Sequence, residues 1–243
     1  MRVFLAGAAG AIGRRLVPLL VGAGHAVTGT TRSRDRAAWL QTAGVKPAIV
    51  DVYDAAVLDQ AVAQAQPEVV MHQLTDLPQQ YDPKTFGAAV ERTARLRLVG
   101  TANLVASARA AGARRLIAQS LAFVYAPGPL PHRESDPLNI NAPGNDGLTA
   151  QSIATFERLV TATPGIAGLV LRYGHLYGPG TWTRDPFGDT PVHVDAAAYA
   201  AFLAVTRGSA GIYNISEDLG SVSIERARQD LGWDPAFRLA GKE

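Results

Sequence analysis

Short apolar runs alternate with longer stretches of mixed character along this chain of 243 residues. The apolar runs at 2–6, 26–30, 48–51, 69–73, 115–119, 168–172 and 211–215 are strand candidates, since each is bounded by turn residues and too short for a helix. The stretches at 11–23, 34–43, 55–65, 83–111, 148–161, 195–206 and 223–231 read as helices. The early strand runs are apolar at nearly every position, so both of their faces should be covered. Regular alternation of strand and helix then predicts an α/β fold, a Rossmann-type doubly wound parallel sheet with right-handed crossovers.

Two stretches break this rhythm. "APGPLPHRESDPLNINAPGNDG" (126–147) and "YGPGTWTRDPFGDTPVH" (177–193) are rich in Pro, Gly, Asn and Asp. Both follow strand candidates on the carboxyl side of the sheet, where open α/β folds bind ligands, and the first is too long for a simple connector. Composition adds mainly exclusions. Lys plus Arg is 23 against Asp plus Glu 21, a net charge of +2, which gives no reason to expect nucleic acid as a partner. There is no cysteine, so disulfides, thiol nucleophiles and thiolate metal sites are excluded. "MRVFLAG" enters an apolar strand at once, and no apolar run reaches membrane-spanning length, so neither a signal peptide nor a membrane partner is expected and a cytoplasmic location is the default.

The first strand runs into Gly7, Gly10 and Gly13. Gly7 permits a tight turn, Gly10 lets a diphosphate approach the backbone, and Gly13 lets the helix pack close to the strand. With Ala11 and Ile12 in the first helical turn, this is a candidate dinucleotide site. The second strand ends in Thr31 and Arg32, with Arg34 beyond and no acid before Asp35. An acid at this tip would bind ribose hydroxyls, whereas Arg32 and Arg34 suit a 2′-phosphate, so NADP(H) is favoured over NAD(H). Asp51 and Val52 would border the adenine, Asp51 serving equally well as a helix cap, and Gln73, Leu74 and Thr75 would follow strand four along the cofactor.

Five segments together give the chain a family likeness: "GAAGAIG", "VVMHQLT", "GTANLVASARAAG", "LRYGHLYGPGT" and "LGWDPAFRL". The chain resembles an atypical or extended short-chain dehydrogenase/reductase of the NAD-dependent epimerase/dehydratase family. The resemblance implies strand order 3-2-1-4-5-6-7. It also implies a dinucleotide-binding unit at 1–175 completed by the strand near 211–215, and a small C-terminal substrate lobe, 176–243, interleaved with it. A homodimer through the two long helices is implied as well. In that family a Tyr four residues before a Lys moves the proton that accompanies hydride, helped by a strand-five hydroxyl and a helix Asn. Those positions fall here on Thr149, Ile153, Leu121 and Arg97. The "GLTAQSIATFERLV" helix holds no Tyr or Lys, so no register shift restores the pair.

The cofactor loop is thus intact while the acid–base group is missing. Three readings remain open. One is an oxidoreductase on a small carbonyl or hydroxyl compound with a relocated acid: His175 first, because it titrates near neutrality, then Tyr125 and Ser120. Tyr173, Tyr177 and His193 would border the small-molecule substrate. The second is a non-redox cyclase, isomerase or dehydratase using His175, Glu134 or Asp195. The third is a non-catalytic NADP-binding sensor. His132 with Glu134 lacks a second ligand cluster, so no metal site is expected, and Asp195 reads as a helix cap. The short stretch between "YGPGT" and "VHVD" argues for a small or open substrate site rather than a nucleotide-sugar site, with Trp182 and Phe187 as an apolar wall or core closure.

Overall fold

The computed structural model describes residues 1–78 and 80–240. The strands are β1 (Arg2–Ala6), β2 (Ala26–Thr31), β3 (Lys46–Ile49), β4 (Val69–His72), β5 (Arg115–Leu121), β6 (Ala167–Tyr173), β7 (His175–Tyr177), β8 (Pro191–His193) and β9 (Gly211–Ile215). The helices are α1 (Ala11–Gly22), α2 (Arg34–Thr42), α3 (Ala55–Ala65), α4 (Pro83–Arg95), α5 (Thr101–Ala110), α6 (Gly144–Thr161) and α7 (Val194–Leu203). Seven parallel strands form one sheet in the order β3-β2-β1-β4-β5-β6-β9, the order the resemblance implied. Successive β1 residues show why the strands read as unbroken apolar runs. Val3 and Leu5 pack with Leu16, Leu20 and Leu203 of α1 and α7. Phe4 and Ala6 pack with Leu58, Leu104 and Phe156 of α3, α5 and α6. Side chains alternate between two buried faces, so every position from Val3 to Ala6 is apolar.

Several expected boundaries move. The third strand lies at Lys46–Ile49, not 48–51. As the edge strand it is only partly buried, which removes the apolar signal that would mark its start. The helix expected over 83–111 is interrupted by a π-helical segment at Leu96–Gly100, where the Thr101 N–H donates to Leu96 O. The last expected helix is largely a π-turn at Ala227–Leu231. Asp195 does not cap α7; the cap is His193, whose Nδ1 accepts from Asp195 N at 3.2 Å. Asp195 instead forms a buried ion pair with Arg15 at 3.1 Å, tying α7 to α1.

The two irregular stretches acquire structure that the apolar pattern does not signal. β7 and β8 form a separate two-stranded parallel sheet. It depends on Gly174, where a Cβ would lie 1.8 Å from Thr190 O. The 126–147 loop folds back on itself through the bridge Tyr125–Leu138 and is stitched to the C-terminal segment by the bridge His132–Val222. Among the described residues, no helix is long and apolar enough to cross a membrane.

Candidate active site

A crevice of about 350 Å³ opens at the carboxyl ends of β1, β2 and β4. It lies where strand order reverses between β1 and β4, the place where doubly wound sheets bind nucleotides. Gly7 has φ +92°, and a Cβ there would stand 2.6 Å from Gln73 O. A Cβ on Gly13 would stand 2.3 Å from Gly7 O, so the turn can close under α1 only with glycine at both positions. Gly10 differs: a Cβ would meet nothing nearer than Gly7 O at 3.4 Å. Its missing side chain leaves room above the turn. Gly10 also caps α1 without a side-chain bond, so the first-turn amides stay available to an anion. This cradle fits the diphosphate of a dinucleotide.

The β2 end of the crevice carries two arginines and two carboxylates, Asp51 and Asp76. Thr31, Arg32, Ser33 and Arg36 line it, facing Asp51, Val52 and Tyr53. Arg32 lies 3.9 Å from Asp76, which also neighbours Arg92 at 3.7 Å. Gly7, Gly10, Thr31, Arg32, Asp51, Val52, Gln73, Leu74 and Thr75 all line the crevice. Ala11, Ile12 and Gly13 lie in the α1 turn beneath it, with Ile12 and Gly13 buried. Arg34 is exposed on α2 and stands away from the lining. Asp51 caps no helix; it accepts from Tyr53 N at 3.0 Å, and Asp54 caps α3. Ser33 and Arg36 escaped the sequence reading. The signal was present, because Ser33 caps α2 by accepting from Arg36 N at 3.4 Å, which brings Arg36 beside the cap and leaves Arg34 outside.

At the carboxyl ends of β5 and β6 the polar groups are engaged with one another. Ser120 Oγ donates to Glu157 Oε1 at 2.7 Å. Arg172 grips the same carboxylate in a fork, Nε to Oε1 at 2.8 Å and Nη2 to Oε2 at 2.7 Å. Its Nη1 donates to the Tyr125 hydroxyl at 2.7 Å and to Glu134 O at 3.2 Å. The Tyr125 hydroxyl in turn donates to Asn214 Oδ1 at 2.6 Å. Burial disfavours the Arg172 charge, but the Glu157 hydrogen bonds and attraction more than offset it, so the guanidinium stays protonated. Burial raises the Tyr125 hydroxyl above its ordinary value, against the pull of Arg172. Ser120 and Tyr125 are thereby parts of one buried ion-pair network.

The remaining candidates are spread out. His175, at the start of β7, stacks on Phe123 with ring centroids 4.1 Å apart, touches Phe187, and has Nδ1 3.2 Å from Thr190 Oγ1. Burial lowers its pKa, opposed by Asp189. Tyr173 is fully buried, its hydroxyl unpartnered beside the Gln73 amide, whose own oxygen and nitrogen lack partners. Tyr177 donates to Glu217 and accepts from Arg238 at 3.1 Å; burial and Glu217 push it up to about 12. His193 sits edge-on to Tyr177, its pKa lowered by burial and by Arg238. Ile153, at the lysine position of the resemblance, is buried with Val124 and Ala150. Arg97, at the asparagine position, donates to Ser152 Oγ at 3.2 Å, and burial pushes its guanidinium down to about 10. His72 is buried with Nδ1 accepting from Leu74 N at 3.3 Å, which fixes the neutral tautomer with Nε2–H toward Thr101 Oγ1 at 2.9 Å.

A sequence profile of the NAD dependent epimerase/dehydratase family matches residues 3–202. A Streptomyces protein named 3-diazoavenalumate denitrifying reductase is 43% identical over 241 residues, covering 90% of this chain and 76% of its own length. A UDP-glucose 4-epimerase of Mycolicibacterium smegmatis is 34% identical over 204 residues; the match covers 79% of this chain but only 60% of that enzyme. Among solved structures, UDP-glucose 4-epimerase of Thermotoga maritima with UDP-glucose superposes with TM-score 0.79 at 17% identity, covering 98% of this chain and 94% of its own. The Thermus thermophilus UDP-glucose 4-epimerase complex with NAD gives TM-score 0.71 at 24% identity, over 97% of this chain and 85% of its own. With this fold, the glycine cradle at the strand-order reversal and the profile match, the chain belongs to the NAD dependent epimerase/dehydratase family.

Proposed function

We propose that this enzyme is an NADP(H)-dependent reductase whose acceptor takes a hydride without needing a proton, and that a diazo-substituted aromatic carboxylate is such an acceptor. One observation carries the reading. Beside the open dinucleotide crevice, Leu121 at the end of β5 and Thr149 and Ile153 on α6 stand at the positions to which the resemblance assigns proton transfer, and Ser120 and Tyr125 are engaged by Glu157 and Arg172. Bound in the crevice, a reduced nicotinamide supplies hydride. Reduction of a carbonyl leaves an alkoxide that must be protonated, which is the task of the missing Tyr. At an arenediazonium carbon the new C–H bond replaces the C–N bond, and dinitrogen departs with the C–N electron pair. The hydride charge cancels the diazonium charge, so no proton is needed at the reduced carbon, and a neighbouring ring hydroxyl ionised in the diazo form regains its proton from water. The name of the Streptomyces relative supports this class of acceptor. The preference for NADP(H) rests on Arg32, Ser33 and Arg36 at the nucleotide end, where Arg32 and Arg36 can fork around a 2′-phosphate.

The test is a pair of measurements on purified protein. Fluorescence titration should give tighter binding of NADPH than of NADH. NADPH oxidation with an arenediazonium carboxylate should exceed the enzyme-free blank, while small aldehydes and ketones give none. Turnover of carbonyls alone would overturn the acceptor class. Conversion of substrate by nucleotide-free protein would favour the non-redox reading.

A further inference from the structure

A short aromatic stack stands beside the ion-pair network and outside the dinucleotide crevice. Phe123 lies two residues beyond the end of β5, and His175 opens β7 just beyond the end of β6. Their rings are nearly parallel, 15° apart, and Phe187 lies tilted against His175 at 4.9 Å and 58°. Phe123 and Phe187 are 40% and 41% exposed. Two phenylalanines left so open at the carboxyl edge of an α/β sheet mark a ligand surface more readily than core closure.

The chain fixes this stack in place. His175 N donates to Thr190 O at 2.7 Å, and Nδ1 meets Thr190 Oγ1, so the imidazole is held from the β8 side. Gly188, at φ +70°, passes so close that a Cβ would lie 2.6 Å from His175 Nδ1. The loop carrying Phe187 is fastened by Trp182, whose Nε1 donates to Pro78 O at 2.9 Å and whose ring packs against Tyr81 and Phe86. The imidazole is stacked face to face on Phe123, and the exposed rings of Phe123 and Phe187 are the π surfaces left open.

We infer that Phe123, His175 and Phe187 form a π-faced wall that binds the aromatic ring of the hydride acceptor. The choice of an aryl diazonium as that acceptor rests on the function proposed above; the wall itself rests on the ring geometry. Phenyl faces carry negative potential, which suits a planar ring made electron-poor by a cationic substituent. The wall assigns His175 to binding.

Two probes separate the wall from the reductase reading. 4-Hydroxycinnamate, an unreactive aromatic carboxylate, reports binding by calorimetry, and 3-diazo-4-hydroxycinnamate reports turnover with NADPH. Phe123→Leu and His175→Ala should each weaken 4-hydroxycinnamate about tenfold with NADPH affinity unchanged, and His175→Phe should recover most of that loss. Unaltered 4-hydroxycinnamate affinity in both variants, or a His175→Phe protein as weak as His175→Ala, would overturn the wall. If these variants behave as expected but no diazonium is turned over, the wall stands and the reductase reading fails. If the diazonium is reduced with an unchanged KM in every variant, the reading stands and the wall fails.

Discussion

The two ends of the crevice side of the sheet are built by different means. Around β1, β2 and β4 the site is made of backbone: Gly7 and Gly13 at positions where a side chain would collide, and a helix start with no side-chain cap. Around β5 and β6 it is made of side chains, and these have turned on one another in the Ser120, Glu157, Arg172, Tyr125 and Asn214 network. A backbone cradle depends on few residue identities beyond its glycines and persists. Side-chain chemistry can be replaced one residue at a time while the sheet stays the same. The two ends of one fold can thus change independently.

Breaking the network should have the largest effect. Glu157→Ala leaves the buried Arg172 charge uncompensated and should cost about 3–5 kcal/mol, read as a melting temperature roughly 10 °C lower. A melting temperature within error of the parent would show the network to be incidental. Next is the pH dependence of stability. Burial, with Arg97 contributing, lowers His72 to about 4 in the folded protein against an ordinary 6.5. The unfolded chain therefore binds the proton more readily between those values. Stability from this group is complete above pH 6.5 and falls as pH drops toward 4, by roughly 3 kcal/mol. Chemical denaturation across that window checks it, and His72→Gln should flatten the slope.

The cofactor end is probed without disturbing the fold. Gly10 has room for a side chain, so Gly10→Val should keep the melting temperature while weakening NADPH by at least about 100-fold, since the new methyls occupy the diphosphate's approach. The smallest effect concerns cofactor choice. Removing both rim arginines, Arg32→Ala with Arg36→Ala, should weaken NADPH about tenfold and leave NADH nearly unchanged. Equal losses for both nucleotides would place the 2′-phosphate elsewhere.

Much of this was legible in the chain because it follows from local rules. The Gly7, Gly10, Gly13 spacing announced the cradle, and doubly buried strands announced the parallel sheet. Edge strand β3 was misplaced because half-exposed strands carry a weak apolar signal. The fates of Ser120 and Tyr125 were not legible. Each is a hydroxyl at a strand end, and only the tertiary arrival of Glu157 from α6, Arg172 from β6 and Asn214 from β9 decides that they are occupied. The β7–β8 pair escaped notice for a similar reason: three-residue strands in a Pro- and Gly-rich segment look like loop. With it went the stacking of His175 on Phe123, which no apolar pattern signals.

The most direct measurement of proton-free hydride transfer is isotopic. NADPH deuterated at the nicotinamide C4, on each face in turn, would be supplied in ordinary water with 3-diazo-4-hydroxycinnamate, and unlabelled NADPH would be supplied in heavy water. The expected result is deuterium at the carbon that lost nitrogen in the first experiment, from one face only, and none at that carbon in the second. Deuterium from solvent at that carbon, or denitrification without NADPH consumption, would contradict it.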